Sequence, residues 1–468
     1  MRLKDIFADF GIYGIAPFIP KIAAFFILPF ITPYLTREDF GVYGIIMAYI
    51  GFFDIFFTLG LQVNLSNSFF KSRSQYKWLW RQIYGFWILW SVIYGFLMAS
   101  ILWFIIPDAA IQDRVAIIIL NVLPIIFFGP TAQMAMYYYQ FKKKPLQVGI
   151  RSAIFGVLNI LLTLYTIRYL RMGYMGWFWS SCITGILLNI SWWIPFNLKE
   201  KMTPIFNFKR NTIKRALRIG LPIVPHQNGQ YLLNQSDRVI MDLIKVSTGQ
   251  IGLYNVAYKA TNAFQTIGRA YTKTMTPYVQ DLINKKEEYT LRNLFFFSQI
   301  LFFILVLLFS CIAKEFFQLL IRNDELNEVY QLAVLIVMAV TFRPMYMACN
   351  SRLFYFEKTK TLGIYSFLAG LINVILNITL IPLWGIEMAA ISTFIGFMFL
   401  AYSRFWSKDY KEHAVLEYYP AAWLLASIVV CATGYYLAEA NIILRGGTFI
   451  VLMIAGVFTL VKFQRALK

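Results

Sequence analysis

Lys259, Asn262, Thr266, Arg269, Lys273 and Thr276 follow one another at steps of three and four residues, the spacing of one face of an α-helix. The segment that carries them, about 251–279, is long enough to cross a bilayer. A Lys or Arg at the centre of such a helix costs roughly 3 kcal/mol on insertion scales, so Lys259, Arg269 and Lys273 together cost about 9 kcal/mol. The apolar members Ile251, Leu253, Val256, Phe264, Ile267 and Val279 return roughly 0.5 kcal/mol each, about 3 kcal/mol in all. This face is therefore expected to line a watery or ligand-filled cavity and not to meet lipid tails. A positive cavity selects an anionic cargo.

Two further cations join this set. Lys21 follows Pro20 near the middle of the first apolar segment, and Arg343 lies deep in another, before Pro344. Arginine presents a planar fork to phosphate oxygens and lysine a point charge. The five together predict a surface for phosphate groups, with snorkelling toward the headgroups as the alternative for Lys259 and Lys273. Asp54 is the one carboxylate deep in the first half of the chain. It is a candidate charge partner for Lys21, or an ion-coupling group. His226, Gln230, Asn234 and Asp237 form a second polar stripe. Such side chains can bond sugar hydroxyls or the neighbouring helices. Trp78, Trp80, Trp87, Trp90, Tyr137, Tyr138, Tyr139, Trp177, Trp179, Trp192 and Trp193 are expected mainly in interfacial belts.

The elements that must hold these residues are membrane helices. The chain is 59% hydrophobic and only 14% charged, against about 25% charged in a soluble domain. About fourteen spans are expected, from 11–35 to 441–461, with 217–236 and 251–279 among them. Basic residues set the orientation. Of 43 Lys and Arg, 29 fall in one set of loops and 9 in the other, which places both termini in the cytoplasm. Topology and attraction to anionic headgroups account for the net charge of +20, so nucleic-acid binding is not expected. Cys182, Cys311, Cys349 and Cys431 all sit in apolar spans, as small buried residues do, and no metal-ligand spacing is present. Met1–Asp9 lacks a signal-peptide pattern, with Asp5 and Asp9 interrupting it; the first span is expected to stay as an anchor.

An internal duplication organises the spans. Phe40-Gly41-Val42-Tyr43 returns as Ile251-Gly252-Leu253-Tyr254, and Gly173-Tyr174-Met175-Gly176 loosely as Gly385-Ile386-Glu387-Met388. Phe141-Lys142-Lys143 resembles Phe356-Glu357-Lys358, and Asn159 pairs with Asn373. The repeat holds six spans, an even number, so both halves insert in the same direction. The expected architecture is all-α: six-helix bundles at 1–210 and 211–412 enclosing a central cleft, then two additional helices at 413–468. Pro17, Pro20, Pro29 and Pro33, with Pro222 and Pro225 in the second half, mark bends that would let such bundles open at one end.

Leu35-Thr36-Arg37-Glu38-Asp39-Phe40-Gly41-Val42-Tyr43 resembles the signature joining the first two spans of polysaccharide flippases. Gly220-Leu221-Pro222-Ile223-Val224-Pro225 with Asp237-Arg238 is similar to their seventh span, and Gly252-Leu253-Tyr254-Asn255-Val256-Ala257-Tyr258-Lys259 to the start of their eighth. The resemblance covers nearly the whole chain, within the multidrug/oligosaccharidyl-lipid/polysaccharide exporter superfamily. It implies an O-antigen (Wzx-type) flippase that moves an undecaprenyl-pyrophosphate-linked oligosaccharide from the inner to the outer leaflet of a bacterial inner membrane. It carries a cationic cavity role onto Lys21, Arg269 and Arg343. It implies no cofactor beyond H+ or Na+ coupling, and as partners a lipid-linked oligosaccharide, membrane lipids and glycan-assembly proteins such as a polymerase. Two other classes compete. An ion-coupled drug exporter of the same fold usually relies on buried carboxylates, which cations outnumber here. A membrane glycosyltransferase or polymerase needs a large outer loop, whereas Glu38 and Asp39 sit in a short one; no enzyme is expected.

Overall fold

The computed structural model describes residues 26–71, 75–142, 144–327 and 329–466. Lys21 and most of the expected first span lie outside them. All regular structure among the described residues is helical. Hydrocarbon offers backbone N–H and C=O groups no partner, and a helix satisfies them within its own segment. Eleven helices are long and apolar enough to cross a membrane, so the chain is a multi-pass all-α membrane protein. The expected fourteen are not all recovered on length and composition. Segments 217–236 and 251–279 do form helices, but their polar stripes keep them out of that set.

Tertiary contacts divide the chain into two compact units. The N-terminal unit contains α1 (Arg37–Thr58), α2 (Leu61–Lys71), α3 (Tyr76–Ile105), α4 (Arg114–Phe128), α5 (Thr131–Phe141), α6 (Pro145–Leu164), α7 (Met175–Trp193) and α8 (Arg210–Gly220). Next come α9 (Val224–Leu243) and α10 (Thr248–Asn284), each shared between the units. Residues up to Tyr231, and Ser247–Gly252, belong to the N-terminal unit. The C-terminal unit continues with α11 (Glu288–Leu320), α12 (Tyr330–Met338), α13 (Arg343–Tyr355), α14 (Thr359–Trp384), α15 (Glu387–Tyr402), α16 (Pro420–Glu439) and α17 (Ile442–Ala466).

Local chemistry sets the breaks. Thr36 and Asp39 form a reciprocal capping box at the start of α1, which satisfies two otherwise orphaned N–H groups. The same Asp39 carboxylate accepts the Tyr174 N–H at 2.8 Å and so ties α1 to the start of α7. Helix α1 stops at Leu59 and Gly60, both at positive φ. Gly60 lies so close to Gly220 that a β-carbon there would sit 2.2 Å from the Gly220 oxygen. Helix α8 is basic on one side, with Arg210, Lys214, Arg215 and Arg218, and buries Ile213, Ala216 and Gly220 on the other. Such a helix suits the headgroup region.

Five of the eleven aromatic residues expected mainly in belts pack inside instead, whereas Trp78, Trp179 and Trp193 are exposed. Trp80, Trp87, Trp192, Tyr138 and Tyr139 are buried in the core of the N-terminal unit. Their polar atoms find partners inside: the Trp80 indole N–H donates to Leu65 O at 3.1 Å and that of Trp87 to Phe57 O at 2.8 Å. With its N–H satisfied, an indole is a large apolar filler.

The repeated glycines explain one another. Gly41 in α1 and Gly252 in the first turn of α10 face each other within the N-terminal unit. A β-carbon on Gly252 would lie 1.7 Å from Arg37 O, and one on Gly41 would lie 2.0 Å from Thr248 O. Only hydrogen fits at this crossing. Gly252→Ala should therefore cost about 2–3 kcal/mol by overpacking, read as a lower melting temperature of the purified protein. Gly149→Ala, which meets nothing within 4 Å, should leave stability unchanged or raise it by about 0.5 kcal/mol through helix propensity.

Candidate functional site

The cationic stripe is a face of one continuous helix, α10. Arg269, Lys273 and Thr276 are exposed, and Lys259 and Asn262 half-buried. Thr266 is buried, yet its hydroxyl serves the stripe. Arg269 Nη2 donates to Asn262 Oδ1 and to Thr266 Oγ1, both at 3.0 Å. The stripe thus holds its own guanidinium along the helix with neutral acceptors.

Arg343 arrives from α13. A short 3-10 turn, Ala339–Phe342, separates α12 from α13, and Pro344 occupies the first turn of α13, where its missing N–H costs nothing. The side chain then lies against α10 at Gly268, beside Arg269: a β-carbon at Gly268 would sit 3.2 Å from Arg343 Nε. The Tyr346 ring lies 5.9 Å from the Arg343 guanidinium carbon. Two arginines 74 positions apart in sequence therefore share one wall of the C-terminal unit.

Four other arginines of this unit are buried. Arg352 is buried and bonds the Glu288 carboxylate and, at 2.7 Å, His413 O. Arg404 is buried and bonds Asn350 Oδ1, Leu362 O and Ser366 Oγ. Arg445 grips Glu315 with two bonds of 2.8 and 2.7 Å. Arg238 stacks on Tyr258, 4.3 Å from the ring centre. In the sequence all four fall near the ends of apolar segments, among the cations counted to loops. Their burial becomes visible only through partners far along the chain. Among the described residues, Arg269 and Arg343 form no ion pair with a carboxylate. Arg238 and Arg404 form none either, but both are buried, whereas Arg269 is exposed and Arg343 half-buried and so open to an anion.

The second polar stripe divides. Asp237 is buried, and its carboxylate accepts from Tyr254 at 2.6 Å, Asn377 at 2.7 Å and Thr393 at 3.0 Å. It ties α9, α10, α14 and α15 together. The Asn234 carbonyl accepts the Tyr258 hydroxyl at 2.8 Å. The side chains of His226 and Gln230 lie outside the described part, as does Lys21. Asp54 is exposed on α1, in the N-terminal unit. No three His, Cys, Asp or Glu side chains converge on a metal-sized site among the described residues.

The fold is similar to those of three solved membrane proteins. The chain is 13% identical to a solved structure described as the lipid II flippase MurJ in an inward closed conformation, with a TM-score of 0.70 over 91% of this chain and 97% of that one. It is 13% identical to a MATE family multidrug resistance transporter of the MOP superfamily in an inward-facing conformation, with a TM-score of 0.60 over 89% and 98% of the two chains. For a MATE transporter of Vibrio cholerae the identity is 14%, the TM-score 0.52 and the coverage 86% and 98%. No curated protein sequence matches significantly. The family model described as polysaccharide biosynthesis protein matches residues 6–283, more than half of the chain. The protein belongs to that family.

The two kinds of arginine should respond oppositely to neutralisation. Glu288→Gln leaves Arg352 buried without its counter-ion and should cost about 3 kcal/mol or more. Arg269→Gln removes a cation that has no carboxylate partner, and should leave the melting temperature unchanged or raise it. Thermal unfolding of both purified variants checks this.

Proposed function

We propose that the protein is a flippase for an undecaprenyl-pyrophosphate-linked oligosaccharide of the O-antigen kind. It would carry the head group from the inner to the outer leaflet of a bacterial inner membrane by alternating access, with both termini in the cytoplasm. The observation that carries this reading is the pair Arg269 and Arg343 side by side on a membrane-embedded wall with neutral partners only. A diphosphate matches two guanidinium groups in charge, and each fork can take phosphate oxygens in pairs. Lys259 and Lys273 extend the same face by one to three turns. Family membership supports polysaccharide biosynthesis as the setting, and the fold supports transport over catalysis.

Sugar recognition is assigned to the stripe of His226, Gln230 and Asn234, whose amide and imidazole groups suit hydroxyls. Asp237 serves there as the buried anchor of its helices. Lys21 is assigned to the phosphate surface with Arg269 and Arg343. Energy for the cycle is assigned to H+ or Na+, with Asp54 as the titrating or ion-binding carboxylate. No other cofactor enters the scheme. A glycan polymerase is the natural downstream partner, because flipped units must be joined.

Removing a charge-assisted hydrogen bond costs about 1.5–3 kcal/mol, roughly tenfold or more per arginine. Arg269→Gln with Arg343→Gln should therefore lower surface glycan about 100-fold at unchanged protein level. Glycan is measured on cells in which this chain is the sole exporter of its class. Wild-type export by the double variant rejects the phosphate surface. Drug resistance conferred by overexpression, without any effect on glycan, rejects the cargo in favour of a drug exporter.

A further inference from the structure

The N-terminal unit contains a groove of about 530 Å³ between α5, α6 and the end of α7. It is separate from the cationic wall of α10. Its polar lining is Arg151, Gln147, Lys199 and Glu200, and its apolar lining includes Ile150, Ile154 and Pro195. The charges and the hydrocarbon are segregated. Arg151 is fixed on the buried Trp192 ring at 4.3 Å, with Nη1 donating to Gln147 O at 3.3 Å. Below it Ile150 and Ile154 open onto Val157 and Leu161, all exposed along one side of α6. That stripe is the lipid-facing surface of a membrane helix. One end of the groove is therefore cationic and the other continuous with hydrocarbon.

Glu200 fixes the charge balance. Lys142 pairs with it at 2.7 Å and the Tyr138 hydroxyl donates to it at 2.6 Å. Burial pushes the Glu200 carboxyl up, but those two contacts, with the nearby charge of Lys144, outweigh it and hold the group below its ordinary range. Glu200 therefore stays ionised at neutral pH, its charge matched by Lys142. Arg151 and Lys199 remain as two cations, and neither forms an ion pair among the described residues.

The geometry points to a binding site for an anionic phospholipid with a hydroxylated headgroup, such as phosphatidylglycerol, seated between α6 and α7. The phosphodiester would lie between Arg151 and Lys199. Headgroup hydroxyls would donate to Glu200 and to the Gln147 side chain, and one acyl chain would run along Ile150, Ile154 and Val157. A phosphodiester with hydroxyls beyond it meets two cations and, next to them, a carboxylate able to accept from those hydroxyls. By loop charge, the groove lies at the cytoplasmic surface, where anionic lipids attract basic segments.

The test uses the full chain purified in mild detergent, with bound lipid counted by native mass spectrometry. Phosphatidylglycerol and phosphatidylcholine are supplied in equal amounts. One phosphatidylglycerol should survive washing that strips phosphatidylcholine. Arg151→Gln with Lys199→Gln should retain it at least tenfold less. Lys199→Glu, a change at an exposed side chain with little folding risk, should also release it. Retention of both lipids alike overturns the site, as does equal retention by the variants. Displacement by millimolar inorganic phosphate would mark a soluble-anion site and overturn the lipid assignment. So would retention of undecaprenyl pyrophosphate in preference to phosphatidylglycerol at this groove. Because the readout is lipid retention and not glycan export, failure here leaves the transport reading untouched.

Discussion

A guanidinium cannot be neutralised at cellular pH, so each arginine inside the bilayer must find compensation there. The C-terminal unit answers this in two ways. Arg352 and Arg445 receive carboxylates from distant parts of the chain, and the buried Arg404 receives an amide oxygen, a carbonyl and a hydroxyl. They act as internal braces. Arg269 and Arg343 also receive neutral partners, an amide oxygen, a hydroxyl and an aromatic ring, but Arg269 is exposed and Arg343 only half-buried. Their compensation is left to whatever comes next to them, and the proposed transport cycle rests on that difference.

The same economy governs the acidic side chains. Asp237 is enclosed by Tyr254, Asn377 and Thr393, and its charge is dispersed over three donors. Removing any donor would leave part of a buried carboxylate unsatisfied. The polar network thereby specifies which helices of the C-terminal unit neighbour one another, a task that apolar packing performs poorly in lipid, where tails are as apolar as leucine.

The face of α10 was legible in advance because helical periodicity is a local property. Steps of three and four put Asn262, Thr266 and Arg269 within reach of each other, and the hydrogen bonds use that reach. The apolar spans were legible for the same reason. Tertiary partnership was not. Arg352 finds Glu288 across 64 positions, and nothing in either neighbourhood announces the pair. Arginine near the end of a span reads as a loop cation whether it faces water or a carboxylate. Trp80 and Trp87 misled in the same way, because an amphipathic ring suits an interface as well as a core that supplies a carbonyl. The adjacency of Arg343 to Arg269 was hidden too, although Gly268 between them was a sign: a missing side chain on a helix face marks the place where another must lie.

The crossing of α1 and α10 has a consequence for the alignment of the two helices. They meet main chain to main chain at Gly41 and Gly252, with the Thr248 methyl and the Arg37 side chain packed beside them. Sliding either helix by one residue would bring a β-carbon onto the opposing carbonyl, which close packing does not admit. The register of α1 against the first turn of α10 is thereby set by two absent side chains.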